Sequence, residues 1–113
     1  MEETQRKRRG HAFLPPKAVL DKIPALYGTD SVPAEDKIVW LHYFSAASDH
    51  YITELDPETG EAFGYAKLAS FPEGAEWGYV YLPELEQVNV SHGLVIVERD
   101  MHWEPKPFGE LGL

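Results

Sequence analysis

DHYITELDPETGEAFGYAKL, residues 49–68, is the stretch whose reading decides the fold. Its middle, Asp56-Pro57-Glu58-Thr59-Gly60, is the clearest turn signal in the chain. Proline presets the φ that a turn needs, and Gly60 accepts a positive φ without steric cost. Before the turn, residues 49–55 alternate: Tyr51, Thr53 and Leu55 are expected on one face, His50, Ile52 and Glu54 on the other. After it, residues 61–68 return, with a weak point or bulge expected at Gly64. Two such segments around a proline-glycine turn predict an antiparallel hairpin.

Working outward, KIVWLHYF (residues 37–44) is apolar on both faces and reads as a central strand covered on both sides. Residues 45–48 are a turn of small side chains. Downstream, Ser70-Phe71-Pro72-Glu73-Gly74 reads as the next turn, and WGYVYL (residues 77–82) as a fourth strand with Trp77, Tyr79 and Tyr81 on one face. Pro83 starts a short helix that docks Leu85 and Val88, and residues 94–98 form a fifth, short strand. Near the N-terminus Pro15-Pro16 opens another short helix, with Ala18, Val19, Leu20 and Ile23 as its apolar face, and Pro24 stops it. The expected fold class is therefore α+β. It is a single small domain, an antiparallel β-meander of about five strands with short helices near the N-terminus and before the last strand. Residues 1–13 read as a flexible basic tail, and residues 14–113 as the acidic domain.

With 113 residues, 43% hydrophobic, the chain is long enough for one core without staples. It has no cysteine, which excludes a disulfide scaffold, thiol catalysis and thiolate metal sites, and which fits a cytoplasmic location. No apolar run is long enough for a membrane span or a secretory signal. The net charge is −9, and it is unevenly spread. Arg6-Lys7-Arg8-Arg9 holds four of the ten basic residues, whereas residues 23–113 carry sixteen acidic residues against Lys37, Lys67, Arg99 and Lys106. That field argues against a nucleic-acid-binding face on the domain and leaves the Arg6–Arg9 cluster as the one segment suited to phosphates. It favours solubility, or a basic protein partner.

Several ordered segments resemble a known family. They are IPALYGTD (23–30), the KIVWLHYF strand, HYITELDPETGEAFGYA (50–66), EWGYVYLPELEQV (76–88) and GLVIVERDMHWEPKPFGEL (93–111). The set resembles the uncharacterised mobile-element family catalogued as domain of unknown function 2958, small acidic proteins of plasmids, phages and integrative elements. The matches fall on Leu26 and Tyr27, Tyr51 and Glu54, Phe63 and Gly64, Glu76 with Gly78 and Tyr79, Glu84 and Leu85, and Glu98-Arg99-Asp100. The chain departs from the family pattern at Ala46-Ala47-Ser48-Asp49, where members often have a tryptophan-rich turn, and at Leu82-Pro83, where serines are common. The resemblance implies an accessory role in a mobile element and brings no activity or catalytic residues with it.

Three constellations carry chemistry. Glu98-Arg99-Asp100 is expected to be a structural ion-pair cluster in which Arg99 meets an acid of a neighbouring strand, Glu54 or Glu76. As a ligand site, its guanidinium fork suits a carboxylate or phosphate. His42 and His50 lie on adjacent strands of a hairpin and are expected to be near neighbours, joining Arg99 in a candidate ligand-binding set. His102 lies on the closing segment. The histidines show no HxH, HExxH or HxxxH spacing, so neither a metal nor any other cofactor is expected. The row Trp77, Tyr79 and Tyr81, with Glu54 and Glu58, is the candidate protein-binding surface. Without basic residues beside them, the aromatics make a poor base-stacking platform. The leading expectation is a non-enzymatic accessory protein that binds a basic partner and mimics the charge of a nucleic acid. The alternatives are a small enzyme or ligand-binding domain around Arg99 and the histidines, or nucleic-acid contact through the basic tail.

Overall fold

A computed structural model describes residues 1–113. Helix α1 (Arg6–Arg9) and helix α2 (Lys17–Leu20) precede a 3-10 turn at Ala34–Asp36. Strands β1 (Ile38–Val39), β2 (Leu41–Ser45), β3 (Ser48–Leu55), β4 (Glu61–Leu68) and β5 (Phe71–Tyr81) follow. Helix α3 (Leu82–Gln87) leads into β6 (Asn89–Val90), β7 (Val95–Ile96), β8 (Glu98–Arg99) and β9 (Lys106–Pro107), and a 3-10 turn at Phe108–Leu111 comes last. The main sheet is antiparallel in the order β5-β4-β3-β2-β8. The α+β fold with a five-stranded antiparallel sheet is therefore as the sequence predicts, but only β2 to β5 form a meander, and β8 crosses over to lie beside β2 rather than beside β5.

The differences have local causes. The 37–44 segment is two strands: β1 pairs with β9, while β2 sits between β3 and β8, and the Trp40 amide carries the ladder on by donating to the Ile52 carbonyl at 2.8 Å. The irregularity expected at Gly64 lies on the facing strand, between Ile52 and Glu54. The extra residue, Thr53, is buried and donates its hydroxyl to the Phe63 carbonyl at 3.1 Å. This bulge resets the alternation, so Ile52 and Leu55 share the core face and Tyr51 and Glu54 the other. Gly64 is what permits it: a Cβ there would lie 2.0 Å from the Tyr51 carbonyl oxygen. The turn expected at Ser70–Gly74 shrinks to Ala69-Ser70, and Phe71 already pairs with Leu68. Residues 94–98 divide between β7, in a hairpin with β6, and β8.

The core lies on one face of the sheet. Leu41, Tyr43, Ile52, Leu55 and Ala62 are covered there by Phe13, Ile23, Leu82 and Val97. Residues 1–13 are accordingly no flexible tail. Phe13 is fully buried and stacks on Tyr43, with ring centroids 4.4 Å apart, and the Tyr43 hydroxyl donates to the Phe13 carbonyl at 2.8 Å. Burial pushes the Tyr43 hydroxyl well above the ordinary phenol range, so it stays a donor. The opposite face is aromatic: Tyr51, Phe63, Tyr65 and Trp77 lie on it, packed by Trp103 and Phe108.

Candidate functional site

The free edge of β5 is an exposed feature built by this topology. At one end of the sheet, β5 pairs only with β4. The Leu82 amide donates to the Gly60 carbonyl at 2.9 Å, which makes Leu82 and Gly60 a hydrogen-bonded pair. Such pairs alternate in antiparallel ladders. Val80, Gly78 and Glu76 therefore turn their backbone groups to β4, and Tyr81, Tyr79 and Trp77 turn theirs outward. Proteins usually guard such an edge with charge or proline. Pro72, Glu73 and Glu76 guard the first half of β5; the segment WGYVYL carries no guard.

The side chains along this edge are also open. Tyr79 is 54% exposed and Tyr81 47%. Trp77 is not part of the open surface: it is half-buried against Phe108, Tyr65 and Phe63, at centroid distances of 4.7, 5.6 and 5.8 Å. Tyr27 joins the patch, 63% exposed and 6.2 Å from the Tyr79 ring. Tyr27 has a positive φ of 67°.

Glu54 sets that conformation from inside. It is buried rather than on a binding surface, and its carboxylate accepts from the Tyr27 amide at 2.8 Å, the Thr29 amide at 3.1 Å and the Thr29 hydroxyl. Lys37, itself buried, donates to the same threonine's carbonyl and, at 2.8 Å, to its hydroxyl. An acid within the sheet thus folds the 26–30 loop around itself and positions a surface tyrosine. Glu58 lies exposed in the turn after β3, where its amide donates to Asp56 at 3.0 Å.

The other expected clusters come apart. Strand alternation sends Glu98, Arg99 and Asp100 to different partners, so they form no mutual ion-pair cluster. Glu98 meets His11 at 3.6 Å, Asp100 meets His42 at 3.0 Å, and the Arg99 Nε donates to the Ala12 carbonyl at 3.3 Å. Arg99 reaches neither Glu54 nor Glu76, because it opposes Tyr43 on the core face. His42 opposes Tyr51, whereas His50 opposes Tyr43, so the two imidazoles lie on opposite faces and do not converge.

His42 is a bridge. Its Nε2 contacts Asp49 at 2.8 Å and its Nδ1 contacts Asp100 at 3.0 Å, while the ring stacks on Tyr51 at 4.7 Å and 7°. Burial pushes the Asp100 carboxyl up, but the His42 hydrogen bond and the His102 amide outweigh it and hold the group below the ordinary carboxylate range. His50 sits under Val80, Leu85 and Val88 with its Nδ1 buried and unpartnered, and burial lowers its pKa. In the basic cluster, Arg9 is committed internally: it meets Glu86 at 3.0 Å and donates to the Val97 carbonyl at 2.9 Å. Arg6 pairs with Glu3 at 3.3 Å, and Lys7 and Arg8 remain exposed.

No helix is long and apolar enough to cross a membrane. The model of a family described as protein of unknown function (DUF2958) matches residues 23–108, a span that takes in Tyr27, Glu54, all of β5 and Asp100. No curated protein and no solved structure matches the chain.

Proposed function

The chain belongs to the DUF2958 family, whose function is unknown, and we propose that it is a non-enzymatic binding module that takes an extended, basic segment of another protein along β5. The observation that carries this reading is the unguarded half of β5, where Trp77 and Tyr79 offer outward backbone donors and acceptors and Tyr81, whose carbonyl starts α3, offers its amide. Strand addition supplies affinity through those backbone bonds and specificity through alternate side chains. Tyr27, Tyr79 and Tyr81 provide large apolar contacts with polar tips, as protein interfaces favour. The charge of the partner follows from the flanks. Glu58, Glu61, Glu73, Glu76 and Glu84 are exposed, and no lysine or arginine occurs between Lys67 and Arg99. In the mobile-element setting that the resemblance implies, the partner is a host or defence factor with a basic surface.

The test is a titration with two extended peptides, one alternating lysine with valine and one alternating glutamate with valine. The basic peptide shifts the backbone amide signals of Trp77, Tyr79 and Tyr81, with affinity falling as salt rises. Tyr79→Pro removes one outward N–H without touching the β4 ladder and weakens binding by about tenfold, the worth of a hydrogen bond lost to a charged or buried partner. If both peptides bind alike, or if neither perturbs the β5 amides, the reading fails.

A further inference from the structure

We propose that the recess beside Arg99 is a binding site for a small molecule carrying one carboxylate on an apolar body. The recess measures about 350 Å³, which is within the range of small-molecule sites. It opens between the segment leading into α2, the β1–β2 junction and the loop after β8. Its walls are apolar: Pro15, Val19, Trp40, Met101 and Trp103. The Trp103 ring is fixed in place, because its Nε1 donates to the Val39 carbonyl at 2.9 Å.

Arg99 is the one group in this wall with donors to spare. Its Nε is used on the Ala12 carbonyl, and its two terminal amino groups make no hydrogen bond within the chain. No carboxylate lies within ion-pair distance of it, although the protein has nineteen. Asp100 also lines the recess, but it does not compete: one oxygen accepts from the His102 amide at 3.0 Å, and the other meets His42 at 3.0 Å. A half-buried guanidinium normally finds an acid. Here Arg99 lines a recess with mostly apolar walls and has two terminal amino groups unbonded, and such a pair of amino groups can hold a planar carboxylate through paired N–H bonds. A single negative charge suits the site better than a dianion, because the net charge of −9 penalises every further charge brought in.

The probes are phenylacetate and its neutral analogue phenylacetamide, followed through the indole N–H signals of the three tryptophans. Trp40 and Trp103 line the recess, whereas Trp77 packs on Phe108 and serves as the internal reference. Phenylacetate shifts Trp40 and Trp103, leaves Trp77 in place, and binds at least about tenfold more tightly than the amide, the difference expected when a charged acceptor is lost. Arg99→Met abolishes the shift. Because Arg99 also ties down Ala12, a second pair of variants works at Met101, which is 57% exposed. Met101→Glu weakens phenylacetate binding and Met101→Lys tightens it, with the melting temperature unchanged in both. Equal binding of acid and amide, no shift at all, or the same affinity in both Met101 variants overturns the proposal.

Discussion

Glu86 shows what a single side chain does here. Its carboxylate has no exposed surface, yet it is fully satisfied: it accepts from the Thr4 amide at 2.7 Å, the Thr4 hydroxyl at 3.0 Å and the Gln5 amide at 2.8 Å, and it pairs with Arg9 at 3.0 Å. Burial pushes its pKa up, but the two backbone donors and Arg9 outweigh that and hold it below the ordinary carboxylate range. A depressed folded-state pKa means stability that is present above the unfolded value and lost as pH falls through the folded one. Acidification into that window therefore releases residues 1–9. Glu86→Leu leaves the buried Arg9 with only the partly exposed Glu3, 3.2 Å away, as its ionic partner, and we expect a loss of about 3 kcal/mol in urea unfolding, with the Thr4 and Gln5 amides losing hydrogen-exchange protection. His50 works in the opposite direction. Burial, which outweighs the pull of Asp49, lowers its pKa from 6.5, so the folded state prefers neutral imidazole. The unfolded chain takes up the proton first, and stability falls as pH drops below about 6.5. In His50→Gln that part of the pH dependence disappears; an unchanged slope between neutral pH and pH 5 would show that another group carries it.

At the scale of elements, the β3–β4 hairpin depends on Gly64. Gly64→Ala sets a methyl group against the Tyr51 carbonyl, and because the clash is with backbone, the strands must separate. We expect a loss of about 2–4 kcal/mol, read from chemical denaturation. The hairpin itself was legible because Asp56-Pro57-Glu58-Thr59-Gly60 is local chemistry, as was the four-strand run β2 to β5 of consecutive neighbours; the crossover that takes β8 to the β2 edge was not. The bulge at Thr53 was not, because it answers a close backbone approach across two strands, and it moved Glu54 to a different face from Ile52. That one-residue shift puts Glu54 on the face away from the core, where the 26–30 loop folds over it and makes it a buried organiser rather than a surface acid. His42 and His50 suffered in the same way: adjacency along a hairpin was readable, but register decided that they face opposite sides. The open edge of β5 had a signal available, since the last strand of a meander has one neighbour unless a later segment covers it. β8 joins the other edge.

At the scale of the whole molecule, the surface carries a net −9 while the main buried ion pair, Arg9 with Glu86, is shielded from solvent. Salt screens the surface repulsion and leaves the pair nearly untouched. The melting temperature should consequently rise by roughly 2–4 °C from low to moderate ionic strength, a shift worth a fraction of a kcal/mol. A protein held together by exposed ion pairs would lose stability over the same range. The docking of the first residues also dictates an order of events in time. Arg9 is received by Glu86 and by the carbonyl of Val97, and Phe13 closes the core beside Val97. A chain made from its N-terminus displays Phe13 and Arg9 long before either receiver has been synthesised. Those residues wait for receivers that are made later. A chain cut before Glu86 holds the residues of the β2–β5 ladder and offers Arg9 neither of its receivers.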